Sequence, residues 1–205
     1  MLIVKSKYKI AKRLGAGVFD KTQTQKFALS EARAKGGKPR GGRRGGSDFG
    51  RQLLEKQKVR FTYGISEKKL SAYVDEATHA EKPSVALFQQ LEMRIDNAIY
   101  RAGLSQTRRS ARQAVSHGHI LINGKRTTTP SQMVKSGDTL AVRDGSRMSP
   151  LYASLAEKAA DQSRAIPKWI DSDMSTLIAK ITSEPSYSTI ETGLDFPTVL
   201  EFYSR

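Results

Sequence analysis

The sequence predicts an α+β fold. It combines a helical domain built from both flanks, an inserted small module of two helices on an antiparallel sheet, and a basic, extended N-terminal arm. Apolar residues recur at helical spacing on both sides of the centre, a helix-strand-turn-strand pattern occupies the centre, and the first 46 residues show no sustained periodicity. The predicted segments are the arm at 1–46, the first part of the helical domain at 47–90, the module at 91–147, and the C-terminal part completing the helical domain at 148–205.

The arm is rich in glycine and basic residues. Six glycines lie between residues 36 and 46, together with Arg40, Arg43 and Arg44. Such a segment has too little apolar surface to offset the entropy lost on ordering, so alone it is expected to be a flexible tail. We favour a basic arm that orders on RNA, because glycine lets the backbone approach phosphates and arginine pairs with them.

Three helices are predicted in the first flank. Ser47 can cap a helix that runs to about Tyr63-Gly64. A second helix starts after Ile65-Ser66, with Ile65 and Leu70 in the positions of a hydrophobic staple. A third starts at Lys82-Pro83-Ser84 and leads directly into the module.

The C-terminal flank is predicted to complete the helical domain. Its pattern indicates a helix over 148–164, an extended segment at 167–170 and a short final helix that ends near Phe202. Trp169 and Phe202 are interpreted as core residues.

Two helices and a hairpin are predicted in the module. Apolar residues from Leu91 to Ala102 lie on one face of a first helix that ends at Gly103. Thr107 is a suitable N-cap for a second helix, which Gly118 ends. A buried strand at 120–122 and an Asn123-Gly124 turn then predict a hairpin, and Leu140 and Val142 mark a further strand.

The second helix of the module concentrates positive charge. Arg108, Arg109 and Arg112 project from the side opposite its apolar residues, and the hairpin places Lys125 and Arg126 beside them. A charge run is usually a solvated face. This helix has no acid of its own, however, and an arginine fork suits phosphate oxygens, so we interpret the cluster as a phosphate clamp.

The net charge of +15 is unevenly distributed along the chain. Residues 1–60 contain 17 Lys and Arg against 4 Asp and Glu, and residues 92–147 contain 10 against 4, whereas residues 148–205 contain 5 against 8. A polyanionic partner explains the two basic segments, since each neutralised phosphate releases counterions. We expect the acidic C-terminal part to face solvent or a basic protein.

The residue content excludes several kinds of site. The chain has no Cys, so it contains no disulfide, thiolate metal site or cysteine nucleophile. We expect no metal and no cofactor, because His79, His117 and His119 are too few and too scattered, and we expect the last two to contact backbone or RNA. No apolar run approaches the roughly 20 residues of a membrane span, so we expect no membrane partner and a cytoplasmic location.

The module resembles a known RNA-binding family. Its motifs are Arg94-Ile95-Asp96-Asn97, Thr107-Arg108, Ala111-Arg112-Gln113 and Ile122-Asn123-Gly124-Lys125. They look like the RNA-binding module named after small-subunit ribosomal protein four, which is also found in pseudouridine synthases, tyrosyl-tRNA synthetases and a heat-shock RNA-binding protein. The segments outside the module distinguish between these families. Ser47-Asp48-Phe49-Gly50 and the segments at 55–60 and 200–205 are similar to bacterial-type small-subunit ribosomal protein four.

The resemblance implies a non-enzymatic, structural constituent of the small ribosomal subunit. It implies a primary binder of small-subunit ribosomal RNA, at a junction in the 5′ domain, that nucleates subunit assembly. The implied neighbours are small-subunit ribosomal protein five, at an interface linked to decoding accuracy, other small-subunit proteins, and messenger RNA near its path into the ribosome. Bacterial and organellar ribosomes both fit this interpretation.

The resemblance also transfers site residues. Those on the helical flank are Lys56, Lys58, Arg60 and Tyr63, and those in the module are Arg94, Arg101, Thr107, Arg108, Arg112, Ser116, His117, Asn123 and Lys125. The charge pattern adds Arg40, Arg43, Arg44, Arg109 and Arg126 as candidate RNA contacts.

The sequence departs from the family in two places. Many relatives hold a Cys-ligated zinc in the arm, which this Cys-free chain cannot do. Arg109-Ser110 replaces a small and acidic pair, which raises the local positive charge.

Two other functions fit the sequence less well. Arg94-Ile95-Asp96 is superficially similar to the motif around a pseudouridine synthase's catalytic Asp, but Asp96 lies on a helix of the module, where an ion pair is the expected role. A free RNA-binding stress factor would not need the helical flank.

Overall fold

A computed structural model describes residues 4, 6–19, 22–35, 47–150, 152, 155 and 166–204. The chain divides into two compact units. The first comprises Met1–Leu87 and Ser188–Arg205, and the second comprises Phe88–Tyr187. Each is described by itself below.

The described residues form helices and strands with the following bounds. The helices are α1 (Lys7–Leu14), α2 (Gln25–Lys35), α3 (Asp48–Tyr63), α4 (Glu67–Thr78), α5 (Pro83–Glu92), α6 (Ile95–Arg101), α7 (Arg108–Ser116) and a C-terminal helix (Phe196–Tyr203). The strands are β1 (Ile120–Ile122), β2 (Lys125–Thr127), β3 (Thr139–Val142), β4 (Ile170–Asp173) and β5 (Ile178–Ile181). Single helical turns occur at Ala16–Val18, Asp144–Arg147 and Thr189–Thr192.

Helix α3 of the first unit begins and ends as predicted, and helix α4 begins as predicted. The Ser47 hydroxyl accepts a hydrogen bond from the Gly50 amide at 3.2 Å, and Gly64 ends α3 in the left-handed conformation with φ of 63°. Ile65 and Leu70 are both buried at the start of α4, which fits the predicted staple.

The described part of the N-terminal arm is helical, and the prediction of an extended arm was wrong there. Ala11 and Leu14 of α1 and Phe27 of α2 are buried, and the Phe19 ring packs edge-on against Phe61 of α3 with centroids 6.2 Å apart. These few apolar side chains, together with the contact of the Phe27 ring with Tyr8 of α1, are enough to stabilise two short helices, which periodicity alone did not reveal. Arg40, Arg43 and Arg44 lie outside the described residues.

The predicted short final helix is present and packs against α3. Asp195 caps it, since its carboxylate accepts from the Thr198 amide at 3.1 Å. The Phe202 ring lies 5.5 Å from that of Phe49, and the Lys56 ammonium lies 4.2 Å from the same Phe202 ring. Phe202 is half-buried, so it closes the edge of this core rather than filling its centre.

The second unit contains a five-stranded antiparallel sheet in the order β2-β1-β3-β5-β4. The predicted hairpin joins β1 to β2, with Ile122 opposite Lys125. Asn123 and Gly124 both have positive φ, at 49° and 76°, which suits a tight two-residue turn between twisted strands. Apolar side chains from α6, α7 and the sheet form one continuous core.

The C-terminal flank is shared between the units, contrary to the prediction that all of 148–205 completes the helical domain. Strand β5 pairs with β3 and with β4, so residues 170–181 extend the module's sheet. Trp169 is a core residue, as predicted, but of this unit. Without β5, the hydrogen-bonding edge of β3 would be unpaired. Of the predicted helix over 148–164, Tyr152 and Leu155 are described as helical and buried, and 151, 153–154 and 156–164 lie outside the described residues.

Helices α5 and α6 are separate, although the sequence predicted that the third helix continues into the module. Arg94 is extended, with ψ of 137°, and forms an isolated bridge with Met133. The Ile95 amide donates to the Gln132 carbonyl at 2.9 Å, and the Val134 amide donates to the Met93 carbonyl at 2.8 Å. These long-range hydrogen bonds replace the intrahelical ones that a continuous helix would form.

No helix in the described ranges is long and apolar enough to span a membrane.

Candidate nucleic-acid interface

Helix α7 is held in place by its N-terminal cap and its apolar side. The Thr107 hydroxyl accepts from the Ser110 amide at 3.1 Å, and the Ser110 hydroxyl accepts from the Thr107 amide at 3.1 Å, so the two form a reciprocal cap. Ala111, Ala114 and Val115 are buried in the core. The opposite side of α7 therefore carries the arginine face, defined as Arg108, Arg109 and Arg112.

Two residues of the arginine face are supported by α6. Arg108 Nε donates to Asn97 Oδ1 at 2.7 Å, and its guanidinium lies 4.3 Å from the centroid of the Tyr100 ring. Arg112 Nη1 lies 3.7 Å from Asp96 Oδ2. Although α7 itself has no acid, a neighbouring helix thus supplies one, and the positive charge of Arg112 is partly balanced.

Arg109 is the most open member of the arginine face. Its side chain is exposed and makes no hydrogen bond or ion pair with any residue that the structure describes. Its full charge is therefore directed to solvent.

The hairpin brings two further cations towards the end of α7. Lys125 is exposed, and Arg126 Nη2 donates to the His117 carbonyl at 3.3 Å. The guanidinium of Arg126 also lies against Gly118, because a Cβ on that glycine would come within 2.1 Å of Arg126 Nε. Gly118 has φ of 71°, so it both turns the chain into β1 and leaves space for Arg126.

His117 and His119 lie together at the junction of α7 and β1. Their ring centroids are 5.9 Å apart, and His119 Nδ1 is 2.9 Å from the Ser146 hydroxyl. Burial lowers the pKa of His119, and the positive charges of His117, Arg143 and Arg126 lower it further. Among the described residues, no three His, Asp or Glu side chains form a group suited to a metal ion.

Two predicted RNA contacts of the module are instead parts of internal ion pairs. Arg94 is only 2% exposed, and its Nε and Nη2 donate to the Asp96 carboxylate at 3.0 and 2.6 Å. Arg101 makes a similar two-point contact with the buried Glu92, at 2.8 Å for each bond. The ion pair expected for Asp96 is therefore confirmed, whereas Arg94 is removed from the candidate RNA-contacting surface because its charge is buried.

The candidate residues on α3 also form internal contacts. Lys56 Nζ and Arg60 Nη1 donate to the two oxygens of Glu67, at 2.8 and 3.3 Å, and Lys56 is buried. Tyr63 is buried in the core, and Lys58 pairs with Glu55 on the same helix. This group stabilises the first unit, whereas the arginine face belongs to the second.

Three polar candidates in the module already make hydrogen bonds within the protein. Thr107 caps α7, and the exposed Ser116 hydroxyl donates to the Arg112 carbonyl at 2.9 Å. Asn123 Nδ2 donates to Asp138 Oδ1, and Asn123 Oδ1 accepts from the Thr139 amide, both at 2.8 Å. Asn123 therefore fixes the turn, and it is exposed, as is Ser116.

Sequence reasoning missed three residues that form or support this surface. Arg143 is exposed, and its amide donates to the His119 carbonyl at 2.8 Å, which places another cation beside the histidine pair. Asn97 and Tyr100 support Arg108 from α6. The available signal for Asn97 was its position beside Asp96 and directly before the apolar pair Ala98-Ile99, since a polar residue among core residues often marks a satisfied buried hydrogen bond.

Comparison with known proteins gives matches over most of the chain. The model of the Ribosomal protein S4/S9 N-terminal domain matches residues 4–92, and that of the S4 domain matches residues 93–140. The boundary between these matches falls where α5 gives way to α6.

Full-length relatives are similar throughout. Small ribosomal subunit protein uS4 of Roseiflexus sp. (strain RS-1) is 38% identical over 198 residues, covering 96% of each chain. The same protein of Borrelia turicatae (strain 91E135) is 37% identical, and the match covers 98% of this chain and 96% of the relative. The same protein of Pelotomaculum thermopropionicum is 39% identical, and the match covers 91% of this chain and 89% of the relative. The chain belongs to the family of small ribosomal subunit protein uS4.

Proposed function

We propose that this chain is a structural, non-enzymatic component of the small ribosomal subunit that binds ribosomal RNA through the second unit. The observation that carries the proposal is the grouping of exposed or half-exposed cations on one helix, on the hairpin that follows it and at the end of β3: Arg108, Arg109, Arg112, Lys125, Arg126 and Arg143. They lie within or next to the segment that matches the S4 domain.

The chemistry of this surface suits a phosphate backbone. Guanidinium groups bind phosphate oxygens through two parallel hydrogen bonds, and clustered cations gain affinity from released counterions. A catalytic role for Asp96, as in a pseudouridine synthase, is disfavoured because its carboxylate is buried and neutralised by Arg94. A free stress factor is disfavoured by the match of residues 4–92 to a ribosomal protein domain.

Family membership supports a more detailed proposal. The chain binds early, at a junction in the 5′ domain of small-subunit ribosomal RNA, and nucleates subunit assembly. It adjoins small-subunit ribosomal protein five, contributes with it to decoding accuracy, and lies near the path by which messenger RNA enters. Arg40, Arg43 and Arg44 contribute as basic contacts of the arm.

Sedimentation of a cell extract tests the ribosomal role. On sucrose gradients at low and high salt, the chain is expected to migrate with the small subunit in both conditions. Release into the free fractions at high salt would favour a modifying enzyme or a stress factor. Chemical cross-linking of the same fractions is expected to join this chain to small-subunit ribosomal protein five, and consistent absence of that product would remove this partner from the proposal.

Binding to a 5′-domain transcript tests the surface. The double variant Arg108→Ala/Arg112→Ala should bind more weakly, and the slope of log K against log salt should fall by roughly 0.7 to 0.9 for each phosphate that the variant no longer neutralises. A matched control is the double variant Lys68→Ala/Lys69→Ala on α4, which removes the same charge elsewhere. Equal effects of the two double variants would show that net charge, rather than the arginine face, governs binding.

A further inference from the structure

A buried polar group in α6 lies directly behind the arginine face. We propose that Asn97, held by Glu92, is a positioning residue that orients Arg108 for a phosphate oxygen before RNA arrives. This inference rests on the proposed RNA-binding function and deepens it, since it explains how one residue of the arginine face is oriented before it binds phosphate.

The orientation of the Asn97 amide is set by Glu92. Asn97 Nδ2 donates to Glu92 Oε2 at 2.7 Å and to the Glu92 carbonyl at 3.2 Å. An ionised carboxylate and a carbonyl only accept, so the Nδ2 side of the amide must face Glu92. Asn97 Oδ1 then faces the other way, towards Arg108 Nε, which donates to it at 2.7 Å.

The Glu92 carboxylate is itself fixed by a second arginine. Its Oε2 accepts from Arg101 Nε and its Oε1 from Arg101 Nη2, each at 2.8 Å, and Glu92 is fully buried. A continuous set of hydrogen bonds therefore runs from Arg101 through Glu92 and Asn97 to Arg108. Because Asn97 is 2% exposed, water competes little for these bonds.

The same interactions restrict how Arg108 moves. Its Nε, the guanidinium nitrogen nearest the backbone, is engaged by Asn97, and the plane of the group is held 4.3 Å from the Tyr100 ring centroid. A side chain already held in one conformation loses less entropy on binding. Arg109, one residue along α7, has no such support among the described residues and is the matched comparison.

The first experiment compares two charge-preserving variants of the full chain. Arg108→Lys retains the charge but lacks Nε and the planar group, whereas Arg109→Lys makes the same change at the unsupported position. We expect Arg108→Lys to weaken binding to a 5′-domain transcript about threefold to tenfold at unchanged salt slope, and Arg109→Lys to weaken it less than about twofold. Equal effects would overturn the special role of Arg108.

A double-mutant cycle then links Arg108 to Asn97. Asn97→Ala should weaken binding in the wild-type chain and have no further effect in the Arg108→Lys chain, because the interaction it removes is already absent. Additive losses would overturn the proposal. Circular dichroism establishes that each variant is folded at the temperature of the assay.

A measurement on the free wild-type chain needs no folded Asn97 variant. Hydrogen exchange of the side-chain Nε–H group, followed by nuclear magnetic resonance, should be slower for Arg108 than for Arg109. The Nε–H group of Arg108 is hydrogen-bonded to Asn97 in the free protein, whereas that of Arg109 has no such partner among the described residues. Equal exchange rates would overturn the inference. If Arg108→Ala/Arg112→Ala leaves RNA binding unchanged, the proposed function fails; if that double variant weakens binding but the cycle is additive, only the positioning role fails.

Discussion

Individual basic residues of this chain differ in what their charge does. Arg94 neutralises a buried carboxylate, Arg108 is supported by a neutral amide and a ring, and Arg109 faces solvent. Sequence position alone does not separate these cases, although all three lie within one module. Their environments predict different consequences of removal.

Removing Arg94 should destabilise the protein strongly. Arg94→Ala leaves Asp96 buried, and among the described residues only Arg112, at 3.7 Å, then remains as its ion-pair partner, so we expect a decrease of about 3 kcal/mol in the free energy of unfolding. Arg109→Ala should change it by less than about 0.5 kcal/mol. Urea unfolding measures the free energy of unfolding of both variants. If Arg94→Ala lowers it as little as Arg109→Ala does, the buried ion pair does not stabilise the protein as proposed. Arg94→Met/Asp96→Leu, which removes both charges, should recover most of the stability.

The Asn123 side chain should act on folding rather than on RNA. Asn123→Ala removes two hydrogen bonds and places alanine at φ of 49°, so we expect a decrease of about 1–3 kcal/mol in unfolding free energy. Asn123→Gly accepts the positive φ and should be less destabilised, which separates backbone strain from the missing hydrogen bonds. If either variant weakens RNA binding while remaining folded, Asn123 is a direct RNA contact.

At the scale of elements, Glu67 of α4 holds the C-terminal helix in place within the first unit. Tyr203 donates its hydroxyl hydrogen to Glu67 Oε1 at 2.7 Å, beside Lys56 and Arg60. Burial alone would raise the pKa of Glu67, but the hydrogen bonds from Lys56, Tyr203 and Arg60 outweigh it and lower the pKa below its ordinary value of 4.5. Burial and the bond to Glu67 also raise the pKa of Tyr203.

The attachment of this helix should therefore weaken in acid. A carboxyl group whose folded pKa is lowered contributes stability above its unfolded pKa, and this contribution disappears as the pH falls through the folded value. The stability difference between wild type and Glu67→Gln should be present at pH 7 and decrease steadily below pH 4.5. Glu76→Gln, an exposed change on the same helix, is the control. A difference that does not change with pH would contradict the role of the Glu67 charge.

At the scale of the whole molecule, the two units differ in continuity along the chain. The second unit is one continuous segment, Phe88–Tyr187. The first unit is formed by two segments that are separate in the sequence, Met1–Leu87 and Ser188–Arg205. Strands β4 and β5 belong to the second unit, so the module inferred from the sequence, 91–147, lacks part of its own sheet.

Truncations should reveal this division. A chain that ends after Tyr187 should keep the amide spectrum of the second unit, while the first unit loses protection because its C-terminal helix is absent. A chain that ends after Arg147 should disrupt the second unit as well, since β3 then has no β5 partner and Trp169 is missing. Hydrogen exchange on each chain provides the measurement. If the second unit is folded in the chain that ends after Arg147, the module boundary at residue 147 inferred from the sequence is correct.

The sequence by itself determined the local elements and the family. The Ser47 and Thr107 caps, the left-handed glycines at 64 and 118 and the Asn123-Gly124 turn act over a few residues, so their structures could be predicted from neighbouring positions. The arginine face could also be predicted, because helical spacing alone assigns Arg108, Arg109 and Arg112 to the side away from the core.

Only the tertiary structure decided which distant segments meet. The pairing of β3 with β5, the break at Arg94 and the packing of α1 and α2 depend on interactions between residues far apart in sequence. The same holds for the site, where Glu92 binds Arg101, and Asn97 supports Arg108. A charged residue looks the same in a sequence whether its partner is a phosphate or a buried carboxylate, because what distinguishes the two is burial and three-dimensional proximity.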